Sequence, residues 1–331
     1  MQTREQLIAP LSAQGCSQEL DGRALARRLL DQVTARAADL SDQGWPPVLV
    51  SISIGDRAPT ALYVRNQKRH AERCGISFIE RNFPDTATFS EVQTTIHALN
   101  ADPRISGIVL QRPVPSHLEI RELQMAIHPL KDVEGMHPAS IGDIVYGGAD
   151  LVPCTALAAV ELLRETGLQF EGLEVTVIGH SEIVGKPVAF LLMAEGATVT
   201  VCHHLTRSVA AHSKDADAVI IAVGKPRLLT GNMIKPGAAI IDIGINQIEE
   251  NGELLVVGDA DYASCRNIAG WITPVPGGVG PVTVAMLMRN VIAAVTRQSA
   301  LYIRKFDASN SFQTAHAYRP AQGAVTASSM S

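Results

Sequence analysis

Aromatic residues make up only 4 % of this chain, so any core it builds must be aliphatic. Cysteine is also sparse. Cys16, Cys74, Cys154, Cys202 and Cys265 lie far apart, and no two share CxxC spacing. That excludes zinc-ribbon and thioredoxin-like motifs, and an odd, scattered set suits a reducing compartment. No metal site is expected. Basic runs are missing and the net charge is −5, so the cationic stripe that a nucleic acid requires is absent. No stretch reaches the ~18 consecutive apolar residues of a membrane span. The opening MQTREQLIAPLSAQG lacks the basic start and apolar run of a signal peptide. The expectation is a cytoplasmic protein with neither nucleic-acid nor membrane partners.

What the sequence does contain is ample apolar material. Of 331 residues, 46 % are hydrophobic and 18 % charged, which excludes a chain disordered throughout. The length favours two domains. Strand and helix signals alternate. Helical spacing from Asp21 (Leu25, Leu29, Leu30, Val33, Ala37) stops at Gly44, and Val48 to Ile54 then reads as a strand. A helix from Thr60 to Arg73, the strand ISFIERNF, a helix from Ser90 to Asn100, the strand SGIVLQRPVP and the helix HLEIRELQMAI follow. A Gly- and Pro-rich stretch, 131–152, interrupts the pattern. Beyond it LEVTVIGH and ATVTVCHH read as strands, and DADAVIIAVG and GAAIIDIGIN as two more with little alternation of polarity, buried on both faces as in a parallel sheet. The fold class is therefore α/β, two units flanking a cleft, the second Rossmann-like. Boundaries fall at 1–15 for a leader, 16–150 for the first unit and 151–282 for the second. A final apolar helix spans 283–305, and the tail 306–331 is expected to be disordered or draped over a neighbour.

One turn in the second unit suggests a dinucleotide. Gly179 ends a strand, and Ser181, Val184 and Gly185 open a helix whose free N–H groups suit a pyrophosphate. The spacing is not the usual GxGxxG, and a plain strand-to-helix turn is the alternative. The next strand ends in His203 and His204, where an NAD site would place an acid. With His180 and Arg207, this acid-free corner suits the 2′-phosphate of NADP; solvated loop histidines are the plainer reading.

LDGRALA, GDRAPTALYV, SGIVLQRPVP, KDVEGMHP, LVPCT, VIGHSEIVGKPVAFLL, VTVCHH, AVGKP, IIDIGIN, GDADY and ITPVPGGVGPVTVAMLM together resemble the bifunctional methylenetetrahydrofolate dehydrogenase/methenyltetrahydrofolate cyclohydrolase family. The likeness runs from about Asp21 to Leu301. It implies NADP as cofactor, one-carbon tetrahydrofolates as substrates, a homodimer, and a C-terminal helix that packs back on a folate-binding first unit. Tyr63, Gln111 and Glu134 match catalytic positions. Val64, Leu110, Arg112, Pro276, Gly277, Gly278, Val279 and Gly280 match substrate-binding ones. Gly179, His180, Ser181, Val184, Gly185, His203, His204, Gly224, Ile245 and Thr283 match cofactor-binding ones.

Several of these positions depart from the family pattern. The family lysine four residues after the tyrosine is Gln67 here. Lys68 is one residue on, ~100° around a helix, and should point elsewhere. The aspartate of KDVDG is Glu134, Arg112 stands for an apolar residue, His180 for an arginine and His204 for a serine. Ala156 and Ala158 replace the second proline and the glycine of PCTPxG, and Trp271 stands where a small residue is usual.

Hydride transfer is a positioning problem, whereas hydrolysis must move protons, which an amide cannot do. The expectation is a dehydrogenase with weak or lost cyclohydrolase activity. Full bifunctionality, with water or His70 in place of the lysine, and a non-catalytic folate-binding paralogue are the alternatives. Histidine carries only part of a charge near neutral pH, so NADP should be favoured over NAD with pH-dependent affinity.

Overall fold

The computed structural model describes residues 17–317 apart from Arg57 and Ala149, with side chains as far as Arg304 (those of Ala58 and Pro59 excepted). The leader 1–15, Cys16 and the end of the tail lie outside the described residues.

β1 (Gln18–Glu19) is followed by α1 (Gly22–Asp42), whose start is fixed by Asp21: its carboxylate accepts from the backbone N–H of Arg23 and Ala24. The first unit is built on β2 (Val48–Ile54), β3 (Ser77–Phe83) and β4 (Gly107–Leu110), all parallel in the order β3-β2-β4. Around them lie α2 (Ala58–Arg73), α3 (Phe89–Ala101) and α4 (Ile120–Ala126), while α5 (Pro138–Val145) packs against α7 (Gly185–Ala194) of the second unit. The capping box expected of Thr-x-x-Glu starts α3, with Thr88 and Glu91 exchanging hydrogen bonds.

The end of α3 explains one residue of KDVEG. Lys131 is buried, and its ammonium donates to the carbonyls of Leu99, Asn100 and Asp102 at 2.8, 2.8 and 2.7 Å. It satisfies the carbonyls that a helix C-terminus leaves unpaired, so this lysine is structural. Lys131→Met should lower the unfolding free energy by ~3 kcal/mol, because buried carbonyls lose their only charged donor; urea denaturation checks this.

The second unit runs α6 (Cys154–Arg164), β5 (Glu174–Ile178), α7 (Gly185–Ala194), β6 (Thr198–Cys202), α8 (Ala210–Ser213), β7 (Ala218–Ile221) and β8 (Ala239–Asp242). A hairpin, β9 (Asn246–Glu250) and β10 (Glu253–Val257), then α9 (Tyr262–Arg266), β11 (Trp271–Ile272) and α10 (Val279–Ala317) complete it. Every residue of β7 and β8 is buried, as their unbroken apolar runs predict. The parallel sheet has the order β1-β11-β8-β7-β5-β6. β6 lies on one side of β5 and β7 on the other, so the chain reverses direction at β5. The crevice beyond that point is where such sheets hold ligands.

Several features differ from the sequence expectation. β1 pairs with β11 through Gln18↔Trp271 and Glu19↔Ile272, so the first residues of the first unit belong to the second sheet. The 131–152 stretch contains a helix, α5, because Asp132 accepts from the His137 N–H and the Ser140 hydroxyl and so fixes its first turn. Helix α10 begins at Val279 rather than 283 and continues to Ala317, past residue 306 where the tail was expected to start.

α10 is long and apolar enough to cross a membrane by length and composition alone, but 67 % of its most apolar stretch is buried inside the structure. It is a core helix joining both units. Asn290 donates to the carbonyls of Val133 and Val152 at 2.8 and 2.9 Å, and Gln298 donates to those of Ser106 and Leu130 at 2.7 and 2.9 Å. These bonds tie KDVEG and LVPCT to one rigid element.

Candidate active site

Helix α2, the end of β4 and the KDVEG turn bring four side chains together. Gln67 is completely buried. Its Oε1 accepts from Gln111 Nε2 at 2.8 Å, and the same Gln111 amide donates to the Ser51 hydroxyl at 3.0 Å. That bond fixes which way the Gln67 amide faces, and its Nε2 is left buried with no hydrogen-bond partner. Orphaned buried donors are rare because they cost free energy, so this one is a candidate ligand contact. Ser51 escaped the sequence reading; a hydroxyl at a wholly buried strand position was the available signal.

Tyr63 lies one turn before Gln67. The residue is 40 % exposed, yet its hydroxyl end is enclosed. Burial above all, then the charges of Glu134 and Cys154, push its pKa up to about 12, with the neighbouring Gln67 amide acting in the opposite direction. It therefore stays protonated and offers a donor beneath an open ring face. Burial also drives the carboxyl of Glu134 up to about 8, aided by Asp132 and opposed by Arg112. Near neutral pH Glu134 holds a proton much of the time. Cys154 is buried and its thiol is pushed further up, mainly by burial and then by Glu134. It is no nucleophile.

Lys68 points outward as its position on the helix predicts, donating to Glu80 at 3.0 Å. His70 is half-buried and its pKa is lowered by burial and then by Arg69 and Arg73. Its Nδ1, like Gln67 Nε2, is buried with no hydrogen-bond partner.

The substrate positions divide. Arg112 is exposed at the mouth of the site. Leu110 is 1 % exposed and packs in the core of the first sheet, so its side chain is structural rather than a ligand contact. Val64 lies in the wall of a separate groove with Thr60 and Arg65. The loop Pro276–Gly280 approaches the start of α1 so closely that a Cβ on Gly22 would lie 1.8 Å from the Gly278 carbonyl oxygen. The glycine of LDGRALA is thus the seat of that loop, a role invisible in the sequence because the two lie more than 250 residues apart.

The dinucleotide positions gather at the reversal point of the second sheet. Gly179 follows β5 with φ +121°, and a Cβ there would lie 2.3 Å from the Ala222 carbonyl oxygen. Only glycine fits. Gly185, the first residue of α7, comes as near to the Gly179 carbonyl. Ser181 Oγ accepts from the N–H of Val184 and Gly185 at 3.2 and 3.4 Å, so this serine ties the turn to the start of α7. Asp259 is fully buried and accepts from Val223 and Gly224 at 2.6 and 2.9 Å. This explains GDADY as the brace behind the glycine turn.

A cleft of about 310 Å³ opens beside Gly179, lined by His180, His203, His204, Thr206 and Lys225. Lys225, not singled out from the sequence, brings a permanent positive charge there. These glycines and donors fit a phosphorylated dinucleotide. Ile245 follows β8 and is 68 % exposed, and Gly224 follows β7, extending the line of strand ends. Thr283 bonds back to the Val279 carbonyl within α10 at 3.1 Å. Across the cleft, Arg121 on α4 donates to Glu182 of the turn at 2.5 and 2.6 Å.

Comparison with known proteins agrees with this arrangement. Residues 20–134 match the catalytic domain of tetrahydrofolate dehydrogenase/cyclohydrolase, and residues 153–299 match its NAD(P)-binding domain. The bifunctional protein FolD 2 of Mesorhizobium japonicum is 61 % identical over 86 % of this chain and 94 % of its own length. The FolD crystal structure from Campylobacter jejuni superposes with a TM-score of 0.82 at 35 % identity, covering 85 % of this chain and 99 % of that one. A Trypanosoma brucei methylenetetrahydrofolate dehydrogenase-cyclohydrolase, solved with NADP and an inhibitor, gives 0.81 at 36 % identity, covering 85 % and 98 %. The chain belongs to the tetrahydrofolate dehydrogenase/cyclohydrolase family.

Proposed function

We propose that this chain oxidises 5,10-methylenetetrahydrofolate to the 5,10-methenyl form with NADP, and that its cyclohydrolase step is weak or lost. The observation that carries the second half is Gln67, a buried amide held by Gln111 where the resemblance places a lysine. The intact dinucleotide turn and the NADP-bound relative support the first half.

NADP, when bound, supplies the hydride acceptor. The carbon that loses hydride sits between two nitrogens whose lone pairs stabilise the cation formed, so no side chain need move a proton there. The protein's task is placement. The open Tyr63 ring offers a face for a flat ligand, and the Pro276–Gly280 loop on Gly22 closes over it. The orphaned Gln67 Nε2 gains an acceptor from the substrate. Glu134 faces the amino-pyrimidine edge, whose two donors favour the ionised carboxylate once substrate is bound, although in the free protein the group is largely protonated.

Hydrolysis demands more: water must lose a proton as it attacks, and a ring nitrogen must gain one. Gln67 does neither. One observation favours the second reading, full bifunctionality: Glu134 still carries a transferable proton near neutral pH. The relatives' name points the same way. A homodimer in the cytoplasm, without nucleic-acid or membrane partners, completes the proposal.

Purified enzyme assayed at pH 7.5 should prefer NADP to NAD, since no acid faces the acid-free corner. A preference for NAD in steady-state kinetics would overturn that part.

Glu134 also makes a stability prediction. Its folded pKa of about 8 lies above the ordinary 4.5. Stabilisation by the neutral buried carboxyl is therefore full below about pH 4.5 and is lost as pH rises to about 8, because the unfolded chain ionises first. Glu134→Gln should change stability by less than ~1 kcal/mol at pH 5 and raise it by ~4 kcal/mol at pH 8. Thermal melts at the two pH values check it.

A further inference from the structure

The register of the second sheet places three imidazoles in one corner. β5 and β6 are adjacent and parallel with Ile178 opposite Cys202, so His180, two residues beyond β5, falls opposite His204, two beyond β6. His203 completes the group. The His180 and His203 rings meet edge-on at 4.8 Å between centroids, and one ring nitrogen from each of the three lies within 4.8 Å of the others. Strand pairing brings the two turns that carry all three side by side, which scattered surface histidines lack.

We propose that His180, His203 and His204 bind one divalent metal ion of the zinc class, leaving one coordination position open towards the dinucleotide crevice. The ligand type suits that class, since neutral imidazole nitrogen is preferred by zinc, cobalt and nickel over magnesium or calcium. At zinc–nitrogen distances of ~2.0–2.1 Å the nitrogens of a tetrahedral site stand roughly 3.3 Å apart. The group therefore closes by rotation of His180 and His204, both exposed side chains free to move. His203 must also change partner. Its Nδ1 now accepts from the Leu205 N–H at 3.1 Å. Metal at Nε2 shifts the ring proton to Nδ1, and the Leu205 N–H turns to solvent. One ordinary hydrogen bond is exchanged for a metal bond.

Lys225 lines the same cleft, so metal and ammonium would repel unless an anion lay between them. The 2′-phosphate of NADP is such an anion, and its oxygen suits the fourth position. This last step rests on the proposed use of NADP. The metal site then strengthens binding of the phosphorylated dinucleotide specifically, and NADP strengthens metal binding by the same factor.

Co²⁺ titrated into the full chain without dinucleotide should give saturable visible absorption at one ion per chain. His180→Asn and His204→Ser should each weaken it at least tenfold, while the exposed His97→Gln should not change it. Absence of saturable binding below about 100 µM, or binding unaffected by both variants, would overturn the site. Calorimetry of NADP and NAD with Zn²⁺ and then with EDTA tests the phosphate link. The expected result is tightening of at least tenfold for NADP and none for NAD. Weaker or unchanged NADP binding with Zn²⁺ present would overturn the link. Failure of NADP to bind in either condition would instead overturn the cofactor reading, leaving the Co²⁺ result to stand by itself.

Discussion

Gln67→Lys should raise methenyltetrahydrofolate hydrolysis by ~10²–10⁴-fold, the usual worth of a positioned acid–base group. The residue is fully buried, so a lysine there is desolvated, and its pKa falls towards neutrality. It would sit one turn from the Tyr63 hydroxyl and beside Gln111, whose amide must rotate to present its oxygen to the new ammonium. Hydride transfer, which needs placement alone, should stay within about tenfold of its starting rate. Following the absorbance of the methenyl compound in the two proteins gives the answer. An unchanged hydrolysis rate in a folded Gln67→Lys protein would mean that Glu134 or the surrounding wall, not the amide, limits the step.

The second large effect lies far from Gln67 in sequence. Gly22→Ala places a Cβ 1.8 Å from the Gly278 carbonyl oxygen and 2.8 Å from that of Gly277. Both neighbours are backbone, so the Pro276–Gly280 loop must move by about an ångström or more. A displacement of that size at a positioning element costs on the order of 10²-fold in kcat/KM. Alanine is itself favourable in a helix, by ~1 kcal/mol over glycine, which partly offsets the clash in stability. The expected outcome is a folded protein with kcat/KM lowered ~10²-fold and a KM for folate that rises. Activity within twofold of the parent would show that the loop does not act through its seat on α1.

Much of this site was legible before the structure. The outward direction of Lys68 follows from helical geometry alone, and its ion pair with Glu80 confirms it. The buried double-faced strands β7 and β8 announced a parallel sheet. Other features were hidden for physical reasons. β1 is two residues long and gains its identity only from β11. α5 is started by a side chain, Asp132, inside a stretch whose glycines and prolines read as loop. The β9–β10 hairpin did carry a signal. Asn251-Gly252 has φ of 55° and 79°, the turn chemistry that favours two-residue hairpins. Leu110 matched a substrate position in one dimension, yet its side chain is spent in the core. The role of Gly22 needed the close approach of two chain segments that no local pattern records.

The division of labour between hydride transfer and proton transfer is tested most directly in one cuvette. Enzyme, methylenetetrahydrofolate and NADP are mixed, and NADPH formation is followed beside the methenyl product. The account predicts that NADPH forms while the methenyl compound accumulates and decays at its uncatalysed rate. Decay well above that rate, keeping pace with NADPH formation, would contradict it.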